Sequence, residues 1–102
     1  MRVIFDPMAE AQLEALHTYI ARASGYEARA DGYIARIVRF CQTLETFPER
    51  GTLYPHLRPG LRLIGFERRV TVAFMVHHAS VIILGIFYGG QDVEGFFEDS
   101  QS

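Results

Sequence analysis

The sequence predicts an α+β domain in the order β-α-α-β-β-β: an N-terminal short strand, a helical hairpin, then a three-stranded antiparallel sheet. Three observations carry this prediction. Apolar residues recur every three or four positions through the first half. The second half instead holds short β-branched and aromatic runs. Ser24-Gly25, Pro48 and Gly89-Gly90 divide the runs from one another.

Val3 to Phe5 is a short β-prone run. Asp6-Pro7 follows as a helix start, the aspartate capping orphan amides and the proline suiting the first helical position. The first helix is predicted from Pro7 to about Ala23, with Ala9, Leu13, Leu16, Ile20 and Ala23 on one face. Gly25 suits the left-handed cap that ends it.

The second helix is predicted from Tyr26 to about Phe47. Its buried stripe is Tyr26, Ala30, Tyr33, Ile37, Cys41 and Leu44, broadened by Ile34 and Phe40. Pro48 stops it by removing a donor and disfavouring helix at Phe47. A loop with two prolines spans Gly51 to Pro59. Three strands follow: Leu61 to Phe66, Val70 to His77 and Val81 to Tyr88, the last two joined through His78-Ala79 as a hairpin. The third is apolar on both faces, with Val81, Ile83 and Phe87 set against Ile82, Leu84 and Ile86, so it should be central and covered twice. Residues 1–92 read as a single domain and 93–102 as an acidic tail.

Length and composition bound the possibilities. At 102 residues the chain is one domain, short enough to bury only roughly 65% of its unfolded surface. With 49% hydrophobic residues it is globular. No apolar run approaches the ~20 residues of a membrane span, and Met1 to Pro7 lacks signal-peptide organisation. The lone Cys41 permits no internal disulfide and fits a reducing cytoplasm. A net charge of -2 argues against a general nucleic-acid binder. All ten basic residues are arginine, which favours forked contacts to carboxylate or phosphate; composition bias is the better account of the missing lysine.

Arg58, Arg62, Arg68 and Arg69 cluster around the second strand, with Arg50 just upstream. On one sheet face they would form a patch for an acidic partner or RNA phosphate; as edge charges they would discourage aggregation. Tyr88 ends the last strand. RNA cleavage by a 2′-hydroxyl needs a base, an acid and positive charge at the phosphate. Arg62, Arg69 and Tyr88 are the candidates for such a group, an incomplete set beside which a packing tyrosine is the simpler reading.

His77 and His78 are adjacent on a strand and should point to opposite faces, which argues against a shared metal ion. His17 and His56 stand alone. Cys41 lies on the apolar stripe of the second helix and reads as an inert buried thiol. No Gly-rich phosphate loop and no Cys/His metal spacing appear, and no cofactor is expected. Phe96 and Phe97, beside Glu94, Glu98 and Asp99, should either fold back onto the domain or dock on a partner.

From Ala9 to Asp92 the chain resembles the ParE/RelE superfamily of toxins from bacterial type II toxin–antitoxin systems. The likeness rests on the long helical hairpin (Leu16, Tyr19-Ile20-Ala21, then Tyr33 and Ile37) and on the turn Phe47-Pro48-Glu49-Arg50-Gly51. Gly60-Leu61-Arg62 and a terminal strand closed by Gly89-Gly90-Gln91-Asp92 add to it. These features are closest to the ParE branch, many of whose members carry arginine where this chain has Gln91.

The resemblance implies a β-α-α-β-β-β fold and a cytoplasmic, non-enzymatic toxin, of the kind tied to plasmid stabilisation, that inhibits DNA gyrase. It implies neutralisation by a ParD-type antitoxin with a ribbon-helix-helix DNA-binding domain and a wrapping C-terminal segment, promoter DNA being reached only through that partner. The antitoxin-binding residues it suggests are Tyr19, Arg22, Arg29, Arg36, Arg58, Arg62, Arg68 and Arg69. The competing expectations are a RelE-type ribosome-dependent mRNA endoribonuclease using Arg62, Arg69 and Tyr88, and a degenerate toxin that retains only antitoxin binding.

Overall fold

The computed structural model describes residues 1–101. The side chains of residues 99–101 and all of Ser102 lie outside the description, so the tail's Asp99 carboxylate is not placed. Strand β1 spans Arg2–Phe5, helix α1 Pro7–Ser24 and helix α2 Glu27–Gln42, followed by a 3-10 turn at Thr43–Glu45. Strands β2 (Thr52–Leu53), β3 (Arg62–Phe66), β4 (Val70–His77) and β5 (Ser80–Tyr88) precede helix α3 (Val93–Gln101). The sheet has five strands in the order β1-β5-β4-β3-β2, two more than the sequence suggested. β1 lies parallel to β5, from Arg2 opposite Ser80 to Phe5 opposite Ile83. The two-residue β2 pairs antiparallel with β3 at the far edge. β5 therefore lies inside the sheet, between β1 and β4 as far as Ile83, with both faces covered, and β4 holds the middle.

Local chemistry sets the hairpin. The Met8 N–H donates to Asp6 Oδ2 at 3.0 Å, capping α1 behind Pro7. Gly25 closes it at φ 78°, its N–H donating to Ala21 O. α2 ends at Gln42, short of the expected Phe47. The Thr43 hydroxyl donates back to Phe40 O at 2.6 Å, and the Thr46 and Phe47 N–H groups both turn onto Thr43 O, tightening the last turn ahead of Pro48.

The sheet carries apolar side chains on both faces. On the helix side Leu16, Ile37, Cys41 and Leu44 pack against Val72, Phe74, Val81 and Ile83. On the outer side Leu57, Leu61, Ala73, Leu84 and Phe87 form a second cluster under Phe97. The faces of β5 do not follow simple alternation. Phe74 pairs with Ile83 but Ala73 pairs with Gly85, so Leu84 has no partner and a β-bulge shifts the register. Beyond it Ile86 and Tyr88 join the helix-side core, while Phe87 goes to the outer face with Ile82 and Leu84, not with Val81 and Ile83.

The segment read as a tail folds back as α3. Asp92 caps it, accepting the Gly95 N–H at 3.0 Å. Phe97 is 2% exposed, and Phe96 sits edge-on to Phe87 with ring centroids 5.3 Å apart. The His77 and His78 side chains are exposed at the β4–β5 turn, but they do not point to opposite faces: their rings lie 4.2 Å apart. His78 has left the strand for a left-handed turn at φ 55°, so strand alternation no longer separates them. Among the described residues no three metal-ligating side chains come together.

Candidate functional site

The arginines around β3 occupy its two ends and not one patch. Arg62 starts the strand opposite Phe74, and its Nη1 donates to Glu49 O at 2.8 Å. Arg58 is exposed in the preceding turn, where its carbonyl accepts the Leu61 N–H. Arg68 and Arg69 are exposed in the β3–β4 turn at the other end. The four steps of strand from Arg62 to Phe66 separate the two pairs by roughly 13 Å along the sheet.

The second end is joined by the hairpin. The Arg36 guanidinium forks onto Glu67, with Nε at 2.9 Å and Nη2 at 3.3 Å, and lies over the Tyr33 ring at 5.2 Å. Glu67 stands at φ 47°, beside Arg68 at φ 67°, two successive left-handed residues that are not glycine. Arg29 lies farther back along α2, over the exposed Tyr26 ring at 5.5 Å. Arg22 is exposed in the last turn of α1. Arg50 is structural: it lies over Phe40, which stacks on Phe66, and donates to the Thr43 hydroxyl.

Three tyrosines gather at that same end. Tyr88 packs 5.8 Å from Tyr19 and 6.2 Å from Tyr33, centroid to centroid. Burial, then the neighbouring Tyr88 and Glu67, push the Tyr33 hydroxyl above its ordinary value; Arg36 and Arg69 oppose them. Tyr19 remains 57% exposed. Sequence reasoning named Tyr19, Tyr88, Arg36 and Arg69 but missed Tyr33 and Glu67. Tyr33 was absorbed into the buried stripe of α2, and no local signal links Glu67 to a residue 31 positions earlier.

Beside the tyrosines lies a groove of about 300 Å³ between α1 and the end of β5. β1 stops at Phe5, so the edge of β5 beyond Ile83 has no neighbouring strand. Two glutamines stand in. Gln12 Oε1 accepts the Ile86 N–H at 2.7 Å, and Gln91 Oε1 accepts the Tyr88 N–H at 2.6 Å.

Arg69 and Tyr88 are neighbours, for the Gly89 N–H donates to Arg69 O, while Arg62 sits at the opposite end of β3. The three ribonuclease candidates therefore do not converge on one phosphate. Cys41 is fully buried, and burial pushes its thiol up to about 12. His17 Nε2 lies 2.6 Å from Asp31 Oδ1, tying α1 to α2.

The sequence model for the ParE toxin of type II toxin–antitoxin systems, parDE, matches residues 3–93. The chain belongs to the ParE toxin family. Among solved structures, this ParE-type toxin is similar to a chain of the chromosomal ParDE toxin–antitoxin system of P. aeruginosa, at 24% identity and a TM-score of 0.76. That match covers 87% of this chain and 96% of the other, and it supports the shared fold. No curated protein matches the ParE-type sequence significantly. Among the described residues no helix is long and apolar enough to cross a membrane.

Proposed function

We propose that this ParE-family toxin works in the cytoplasm by seizing DNA gyrase, and that a ParD-type antitoxin silences it. The observation that carries the choice of binding over RNA cleavage is the dispersal of Arg62 from Arg69 and Tyr88. General acid–base chemistry and phosphate stabilisation must act on one substrate pose, and no such pose spans these groups. Gyrase as the target follows from family membership, as does an antitoxin that carries the ribbon-helix-helix domain and reaches promoter DNA for both proteins. The antitoxin contacts assigned to the hairpin are Tyr19, Arg22, Arg29 and Arg36. Arg68 and Arg69 continue that surface, and Arg58 and Arg62 form a separate basic edge.

The test is supercoiling by purified gyrase, with trapped cleaved DNA scored, in the presence of the toxin with and without the product of its adjacent small gene. Inhibition relieved by that product is the expected result. One observation keeps the ribonuclease alternative in view, the adjacency of Tyr88 and Arg69. Ribosome-dependent mRNA cleavage abolished by Tyr88→Phe, with gyrase unaffected, would overturn the proposal.

A further inference from the structure

The edge of β5 past the end of β1 is neither paired with backbone nor left to solvent. The Ile86 and Tyr88 N–H groups, two residues apart, point the same way along it, and each is met by a glutamine side-chain carbonyl. Edge donors two residues apart are the pattern that one extended chain satisfies with its own carbonyls. The groove beside them is floored by Leu16 and Ile86 and walled by Ala15, Tyr19 and Tyr88, a lining suited to an apolar side chain. Along α1 it continues past Tyr19 to Arg22. No carboxylate lines either stretch. The complement is an extended segment with one apolar anchor and an acidic residue toward Arg22.

We infer that this slot takes an extended segment of the antitoxin, acidic toward Arg22, as an added strand on β5, displacing the Gln12 and Gln91 amides and seating one apolar side chain against Ala15 and Tyr19. The inference rests on the toxin–antitoxin reading and adds the β5 edge to the hairpin contacts, with Tyr19 and Arg22 common to both. The chain's own acidic, aromatic segment is not the occupant: it is folded as α3 on the outer sheet face with Phe97 2% exposed.

The experiment measures affinity of the toxin for the purified product of the adjacent small gene, together with amide exchange at Ile86 and Tyr88. Ala15 is exposed, so Ala15→Trp fills the groove from a surface position. It should weaken the complex at least tenfold without lowering the thermal midpoint. Ala15→Glu, the second variant, should weaken it with a loss that shrinks as salt rises. Arg39→Ala, exposed on α2 and away from the slot, should change affinity less than threefold. In Gln12→Ala the Ile86 amide should exchange quickly in the free toxin and become protected in the complex. Unchanged affinity in both Ala15 variants, or an Ile86 amide that stays exchangeable in the complex, overturns the slot while leaving the antitoxin reading intact. Failure of the wild-type toxin to bind that product at all overturns the antitoxin reading and the slot with it.

Discussion

The bulge in β5 can be tested at Gly85. A Cβ built there would stand 2.6 Å and 2.8 Å from Phe87 ring atoms and 3.3 Å from Gln12 Oε1. Ordinary carbon–carbon contacts are about 3.5–4.0 Å, so in Gly85→Ala the ring must retreat by about 1 Å. It has little room, because Phe87 is 4% exposed and held by Phe96 and Phe97 at centroid distances of 5.3 Å and 6.1 Å. Overpacking of this kind costs about 2 kcal/mol, which lowers the midpoint of a domain this size by about 8–16 °C. Phe87→Leu alone should cost about 1 kcal/mol, since the leucine leaves some of the ring's space empty. In the double variant the leucine vacates the space the new methyl needs, so the two costs should fall short of additive by at least about 1 kcal/mol. Urea unfolding of the four proteins measures the cycle. Strict additivity, or a Gly85→Ala variant within about 0.5 kcal/mol of wild type, would refute the argument that Phe87 lies over Gly85.

Gly51 and Gly25 share a left-handed backbone at φ 80° and 78° but differ in surroundings. A Cβ at Gly51 would meet Leu63 O at 2.5 Å, and one at Gly25 would meet nothing within 4 Å. Gly25→Ala should therefore cost about 1 kcal/mol and Gly51→Ala at least about 1 kcal/mol more, by thermal or urea unfolding; equal costs would remove the close approach of the Phe47–Gly51 turn to β3. Burial raises the Cys41 thiol from 9.0 to about 12, so the unfolded chain releases this proton at lower pH than the folded one. Stability should hold below pH 9 and fall as pH rises toward 12. Cys41→Ala should flatten that fall in urea titrations at several pH values, and an unchanged slope would count against the buried protonated thiol.

Much of the fold was legible because it is locally encoded. Asp6-Pro7, Gly25 and Pro48 act within a few residues of themselves, and each punctuates the chain near where it was expected to. The doubly apolar β5 announced that both its faces would be covered, though β4 and not β5 is the middle strand. What was not legible depends on partners distant in sequence. A run as short as Val3–Phe5 does not reveal which strand it will join, so the parallel pairing with β5 and the five-stranded sheet could not be read. The bulge at Leu84 is a register event between two strands, and alternation counted along one of them put Phe87 on the wrong face. At the candidate site the residue types were largely foreseen and their grouping was not. Four arginines within twelve positions read as one cluster, but an extended strand carries its ends apart. Tyr33, Glu67 and the two glutamines became visible only when the hairpin was laid on the sheet.

The two-sided burial of this sheet constrains how the toxin can be recognised. The hairpin occupies one face and α3, with Phe96 and Phe97, caps much of the other, so neither broad apolar surface is free without unfolding something. Recognition is left to strand edges, exposed helix faces and the arginine-bearing turns. Of these, the β5 edge combines directional backbone donors, an apolar recess and an arginine at one end. The basic turns offer charge alone, and exposed ion pairs such as Arg36–Glu67 contribute little affinity by themselves. A partner using only the arginines would bind weakly and lose most of its hold in salt. A partner that also adds a strand to β5 gains register and an apolar anchor, contributions that salt does not screen. The salt dependence of the antitoxin complex therefore separates the two modes: a shallow slope requires the edge, and a steep one assigns the binding to the arginines.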